Sequence, residues 1–236
     1  MIVYGKNVWN QIQNQPDQIQ EIYVQQGLKD RSIEKKIQRQ FPDYKIKTRR
    51  EMDSITQTTS HQGIACKVKE IPTYSLEQLV DRAENKLFVV LDGIQDPHNV
   101  GAILRSCDCT GVDGLILSKH RSAGLTPAAV KSSTGAAYTV PVSIVANLSN
   151  ALKYFKEKGY WIVGTDMENA RDYRQGIYDV PVVLVIGSEG KGISTLVKKQ
   201  CDYMISIPMH GSISSLNASV ACAVVLYQIY NQRNPL

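Results

Sequence analysis

Residues 205–227, ISIPMHGSISSLNASVACAVVLY, decide how the rest of the chain is read. The alternating apolar residues Tyr203, Ile205 and Ile207 predict a strand that ends at Pro208. A loop of small residues follows at 211–215, and Asn217 then opens a run of Ala, Val, Cys and Leu of helical length. Strand, tight polar loop and helix together present backbone N–H groups and short side chains to a ligand. A buried C-terminal helix with an ordinary capped start accounts for the same residues. Two further loops decide between these readings.

Working outward, apolar runs alternate with helical segments all the way back to residue 87. LFVVLDGI (87–94) is continuously apolar, as expected of a central strand in a parallel sheet. Further strands are predicted at 114–118, 140–145, 160–167 (YWIVGTDM) and 180–188 (VPVVLVIGS), with helices at 100–109, 127–137, 148–158, 193–198 and 217–232. This alternation predicts an α/β domain over 87–236, an open parallel sheet with helices on both faces. Residues 1–70 read as a separate, small α/β unit. Its helices fall at 7–13, at 32–41 (capped by Ser32 and stopped by Pro42) and at 51–56, and its strands at 19–24, 45–48 and 63–68. Residues 71–86 hold a boundary, Ile71-Pro72-Thr73, and a helix, SLEQLVDRAENK, with Leu76, Leu79, Val80 and Ala83 on one face.

At 236 residues, 43% hydrophobic and 21% charged, the composition is that of an ordinary soluble globular protein. The longest apolar run, 220–227, is too short to span a bilayer, and the N-terminus has no signal-peptide pattern. The five cysteines are scattered. Cys107 and Cys109 form a C-x-C with no second pair or His cluster at zinc spacing, so no metal is predicted. Reduced thiols and a cytoplasmic location are the expectation. The net charge of +5 is concentrated at the start, because residues 1–70 carry 12 Lys+Arg against 8 Asp+Glu whereas 71–236 carry 15 against 14. Such a patch suits a polyanion. A solvated helix face, with Glu34 beside Lys35 and Gln38, explains it equally well.

The second loop, DPHNVGAILR (96–105), lies at the C-terminal end of a predicted strand, where open α/β sheets place ligands. Asn99 is positioned to cap the helix, Gly101 to let another backbone approach, and Arg105 to offer five fixed donors to a phosphate or hydroxyl, or else to form a surface ion pair. The third loop, 186–193, has its glycines as G-x-x-G-x-G, which is neither the dinucleotide nor the P-loop spacing. Glu189 within it repels a phosphate and favours an amine, a sulfonium or a ribose. Ser214, Ser215 and Asn217 offer neutral donors and acceptors without a triad partner, and neither His98 nor His210 is required by any pattern.

DPHNVGAILRSCDCTG (96–111), VIGSEGKGIS (185–194) and ISIPMHGSISSLNASVA (205–221) resemble, in order and spacing, the three motifs of the SpoU (TrmH) class of RNA ribose 2′-O-methyltransferases. The resemblance covers residues 87–232. VYGKNVW (3–9) and HQGIACKV (61–68) resemble the start and end of that class's small substrate-binding domain, a ribosomal-protein-like unit over 1–70. It implies that the C-terminal segment threads through a loop to make a deep trefoil knot of the SPOUT type, a rare departure from ordinary topology. It implies S-adenosyl-L-methionine as cofactor, held largely by backbone groups of the loops ending at Gly187, Ile207 and Leu216. It further implies a homodimer with the site near the subunit boundary, the small-residue helix 217–226 suiting close packing there. The implied reaction methylates a ribose 2′-oxygen of RNA, a guanosine of 23S rRNA, with a tRNA guanosine as the alternative. Asn99, Arg105, Glu189, Ser215 and Asn217 are then the functional set, and Lys35, Lys36 and Arg39 of the basic unit are the RNA contacts. The class assigns Arg105 both phosphate binding and proton acceptance. A free guanidinium pKa of about 13.8 makes phosphate positioning beside a forming alkoxide the physically easier task. Two rivals are a non-catalytic structured-RNA-binding protein and a dinucleotide oxidoreductase whose fingerprint is missing.

Overall fold

The computed structural model describes residues 1–14, 16–167 and 170–235. The N-terminal unit runs β1 (Ile2–Tyr4), α1 (Lys6–Ile12), β2 (Ile19–Gln25), α2 (Arg31–Gln40), β3 (Lys45–Lys47), α3 (Arg49–Thr56) and β4 (Ile64–Val68). Its sheet has the order β1-β4-β2-β3, with β4 antiparallel to both neighbours and β2 parallel to β3. The first strand was not legible as one. Three residues are too few for a period, and Ile2–Tyr4 is a strand because β4 lies beside it. In α2, Ile33 and Ile37 are buried four residues apart, and Lys35, Lys36 and Arg39 stand exposed on the rest of the helix. Asp30, not Ser32, is its cap, accepting from the Ile33 N–H at 3.3 Å. Glu34 pairs with Arg31 at 3.3 Å rather than with Lys35.

A short helix, α4 (Leu76–Asp81), leads into the larger domain, capped by Ser75 with a reciprocal bond from Gln78. It stops well before residue 86. The Asp113 carboxylate draws the backbone N–H groups of Glu84, Asn85 and Leu87 into an irregular path, at 2.8, 3.1 and 2.9 Å. The domain continues β5 (Leu87–Asp92), α5 (Pro97–Thr110), β6 (Gly114–Ser118), α6 (Pro127–Ser132), β7 (Val142–Val145), α7 (Leu148–Glu157), β8 (Trp161–Thr165), β9 (Arg171–Asp172), β10 (Val182–Gly187), α8 (Thr195–Lys198), β11 (Tyr203–Ser206) and α9 (Ala218–Arg233). Helix α6 is shorter than predicted because Thr134 and Gly135 adopt positive φ, 52° and 106°, and the Ser133 hydroxyl accepts from the Gly135 and Ala137 N–H groups. The two-residue β9 was not anticipated.

The seven strands lie in the order β7-β6-β5-β10-β8-β11-β9, and every pairing among them is parallel. Alternate residues point to opposite faces. Leu87, Val89, Leu91, Leu184 and Ile205 face α5, α6 and α9, whereas Phe88, Val90, Ile116, Val183 and Val185 face α7 and α8. Each such fully buried side chain contributes roughly 1.5–3 kcal/mol. A Cβ on Gly101 would come within 2.4 Å of the Ala129 carbonyl oxygen, so its absence is what lets α5 and α6 cross so closely.

The N-terminal sheet packs on the same core, since Val3, Trp9 and Ile12 join one apolar cluster with Ala129, Val130 and Ala136. Lys131 reinforces this seam, its Nζ donating to the Ser60 carbonyl at 2.7 Å and lying 4.8 Å from the Tyr4 ring centre. Gly135 has no side chain where Gln11 passes; a Cβ there would meet Gln11 Cγ at 2.0 Å. No helix among the described residues is long and apolar enough to cross a membrane.

Candidate functional site

Strand order reverses between β5 and β10, the place where open α/β sheets bind ligands beyond the carboxyl ends of their strands. The loop after β5 enters α5 with Asp96 as cap, accepting from the His98 N–H at 2.8 Å, and with Pro97 in the first turn. Asn99 therefore does not cap the helix as the sequence reading had it. Its side chain is free to turn toward β10, and it is 9% exposed. After β10, residues 188–192 close a tight turn, with Ser188 N donating to Gly192 O at 3.1 Å and Gly192 N to Ser188 O at 2.8 Å. Gly190 and Gly192 have φ of 77° and 63°, which a side chain disfavours. The turn folds back so far that a Cβ on Gly187 would meet the Gly192 carbonyl carbon at 2.2 Å.

This turn carries Glu189 to Asn99 and Asn217, joining three loops remote in sequence. Glu189 Oε1 accepts from Asn99 Nδ2 at 3.0 Å, from Asn217 Nδ2 at 2.7 Å and from the Ala218 N–H at 3.3 Å. Asn217 Nδ2 also donates to Asn99 Oδ1 at 3.0 Å. Asn217 is at the same time the cap of α9, its Oδ1 accepting from the Ser219 and Val220 N–H groups, an arrangement worth about 1 kcal/mol. Glu189 Oε2 makes no hydrogen bond to the described residues, so half of this exposed carboxylate is open to a ligand.

Beside this hub lies a cavity of ≈ 430 Å³ between the ends of β8, β10 and β11. Ile186, Ile205, Ile207, Leu216 and Val225 give it apolar walls, and residues 187–192 and 214–216 form its rim. Residues 209–216 make no hydrogen bonds to other described residues, leaving their backbone donors and acceptors free. Gly187, Ile207, Leu216 and Ser215, all expected at the site, line it. Thr165, Asp166 and Met167, at the end of β8, line it too and were missed. Their position at a strand's carboxyl end was the available signal. A second cavity, ≈ 800 Å³, lies against Asn99 and shares Ser188, Glu189, Lys191 and Gly192 with the first as a common wall.

Arg105 is not part of this cluster. It is exposed and lines neither cavity. Six residues beyond Asn99 on α5, it lies about 120° round the helix and about 9 Å along it. Lys35, Lys36 and Arg39 lie on the other unit and are exposed. None of the thiols lines either cavity, and four of the five are held protonated. Burial pushes those of Cys66, Cys201 and Cys222 up to about 12 and that of Cys107 well above the usual range.

A parallel sheet whose three motif loops meet at its carboxyl ends, beside two cavities, defines a class, and the sequence comparisons agree. The pattern of the SpoU rRNA Methylase family matches residues 86–227, and that of the RNA 2′-O ribose methyltransferase substrate-binding domain matches residues 2–74. The chain belongs to the SpoU (TrmH) family of RNA methyltransferases. It is 40% identical, over 92% of its length and 89% of the relative's, to a protein of Staphylococcus haemolyticus assigned to the TrmH family of tRNA/rRNA methyltransferases. It is 38% identical to a Bacillus subtilis protein, YacO, assigned to the same family, over 96% of this chain and 87% of that one. Among solved structures it is similar to the SpoU methyltransferase AviRb of Streptomyces viridochromogenes in complex with AdoMet. That match has a TM-score of 0.80 and 26% identity, covering 99% of this chain and 90% of AviRb.

Proposed function

We propose that this chain methylates a ribose 2′-oxygen of RNA with S-adenosyl-methionine, the target being a guanosine of 23S rRNA as in RlmB-type enzymes, with a tRNA guanosine as the alternative. The observation that carries the reading is the Asn99–Glu189–Asn217 hub, which ties the three motif loops together where the two cavities meet. The first cavity fits the cofactor in character. Its apolar walls suit a purine, its unpaired backbone groups suit a ribose and an amino-acid end, and Glu189 at its border suits a cation. AdoMet bound to AviRb supports the same assignment. When bound, the cofactor supplies an electrophilic methyl group on a sulfonium.

The protein's part is to bind and to orient. Asn99 and Asn217 hold Glu189 by three N–H bonds together with Ala218, fixing the carboxylate before substrate arrives. Ser215 offers a short hydroxyl on the rim. Arg105, free on the surface of α5, binds the phosphate of the target nucleotide, and its charge favours the oxygen as it loses its proton. Lys35, Lys36 and Arg39 grip structured RNA by backbone charge. The domain division at 1–70, 71–86 and 87–236, a trefoil knot formed by the C-terminal segment and a homodimer complete the proposal. Support for the knot comes from β11 lying between β8 and β9 and from the turn folded back on Gly187. Support for the dimer comes from α9, which leaves Val220, Tyr227 and Tyr230 at least 42% exposed beside the cavity's Leu216 loop.

The test is transfer of tritiated methyl from S-adenosyl-methionine to protein-free 23S rRNA and, separately, to unmodified tRNA, with the modified nucleoside mapped. Label on a 23S guanosine 2′-oxygen is the expected result. Label on tRNA alone replaces the substrate, and no label on either RNA with the cofactor bound overturns the enzymatic reading.

A further inference from the structure

The larger cavity is not needed to hold the cofactor, yet it is built with charge. Arg121 and Lys191 stand on its wall, and neither has a hydrogen bond or ion pair with any described residue. Arg121 has a φ of 58°, a conformation that disfavours any residue with a side chain and that clusters at functional sites. The loop bearing it is tied down over the end of β5, the Ala123 N–H donating to the Ile94 carbonyl at 3.0 Å. The opposite charges lining the same cavity are partly committed. Asp92 Oδ2 accepts from the Ser194 N–H at 2.7 Å and Asp96 Oδ1 from the His98 N–H at 2.8 Å. The other oxygen of each has no partner among the described residues.

We infer that this second cavity is the pocket for the target nucleotide, an unstacked guanosine whose 5′-phosphate is bound by Arg121 and Lys191, leaving the phosphate on its 3′ side to Arg105, and whose base is read by the free carboxylate oxygens of Asp92 and Asp96. This rests on the methyl-transfer reading and extends it to a substrate site. Three features make the match. The cavity abuts Asn99 and shares the Glu189 turn with the cofactor cavity, so a ribose held there lies at the wall where the two meet. Two unpaired cations lining one cavity suit a phosphate. Guanine alone among the four bases presents N1–H and N2–H donors side by side on its pairing edge, and two free carboxylate acceptors favour that edge once the base is out of its stack.

The test uses the full chain saturated with S-adenosyl-homocysteine and guanosine 5′-monophosphate as the probe, followed by calorimetry and by amide chemical shifts. The nucleotide should bind alongside S-adenosyl-homocysteine, shift the amides of Gly93 and Gly192, and bind at least about tenfold more tightly than adenosine 5′-monophosphate. Arg121→Ala should weaken guanosine monophosphate at least about tenfold. The same variant should hold S-adenosyl-homocysteine within about twofold of the wild type, and Arg121→Lys should recover part of the loss. Competition between the two ligands, no detectable nucleotide binding at millimolar concentration, or wild-type binding by Arg121→Ala overturns the inference. The two readings fail separately. An enzyme that methylates RNA with an unchanged KM in Arg121→Ala loses only the nucleotide pocket. Arg121-dependent nucleotide binding without methyl transfer to any RNA loses only the reaction.

Discussion

The two ends of the seven-stranded sheet are built on opposite principles. At the carboxyl ends the chain leaves its backbone unpaired over residues 209–216, bends through glycines at 190 and 192, and encloses two cavities. At the amino ends, charged side chains bind the backbone. Asp113 takes three N–H groups before β5, and the half-buried Arg233 at the end of α9 donates to the carbonyls of Tyr178, Asn85 and Val180 at 2.6, 2.6 and 2.7 Å. Burial pulls the Arg233 guanidinium below its ordinary value, yet it remains charged at any physiological pH. One end keeps its polar groups open for ligands. The other satisfies them internally.

If the division is real, substitutions at the two ends should separate turnover from stability. The largest effect belongs to the ligand end. Arg105→Ala should nearly abolish methyl transfer, and Glu189→Ala should lower it by roughly 10²–10³, with tritiated-methyl incorporation as the measure. Arg105→Ala should leave cofactor affinity intact, because Arg105 lines neither cavity. Wild-type turnover in either variant removes that residue from the site. Next is Arg233→Met, which should cost about 2–4 kcal/mol in urea unfolding by orphaning three carbonyls, with the folded fraction fully active. A loss of turnover without a loss of stability breaks the comparison.

Smaller in size is the joint replacement of Lys35, Lys36 and Arg39 by Ala. RNA binding should weaken and its salt dependence flatten by up to about two to three in log–log slope, while cofactor binding is untouched. An unchanged slope moves the RNA elsewhere. A separate effect, silent at neutral pH, lies at high pH. The folded chain keeps the Cys66 and Cys222 thiols protonated up to about 12, whereas unfolded thiols ionise from about 8.5. Their contribution is intact below that lower value and is lost as pH rises toward 12, each thiol adding a slope of about 1.4 kcal/mol per pH unit. Chemical denaturation between pH 8 and 12 should show stability falling through this window, and Cys66→Ala with Cys222→Ala should flatten the fall.

Much of the fold could be read from residues because its signals are local. The apolar runs of β5 and β10 read as buried strands from their length and alternation with helices, and the cap at Asn217 is written in the residues around it. What escaped was set by distant partners. β1 is a strand only beside β4, and β9 only beside β11. Residues 82–86 have good helical composition but lose the helix to Asp113, 26 positions or more from the groups it captures. At the site, the motif positions Asn99, Glu189 and Asn217 were visible, and their meeting was not, since hydrogen bonds across 90 and 118 residues leave no trace in spacing. Asn99 was misread as a cap because Asp96 and Pro97 satisfy the same local pattern one turn earlier. Arg105 was grouped with them by motif, and helical phase sets it on another face.

The seam at Lys131 has a consequence for how an RNA is addressed. Val3, Trp9 and Ile12 share one apolar cluster with α6, and Gln11 fills the place where Gly135 has no side chain, so the N-terminal unit is packed onto the larger domain rather than merely tethered to it. Under the proposed function, the span from α2 to the turn at Glu189 acts as a gauge: an RNA gripped at one end of it offers a single nucleotide to the other, and the choice of nucleotide is made by length and fold as much as by the identity of the base.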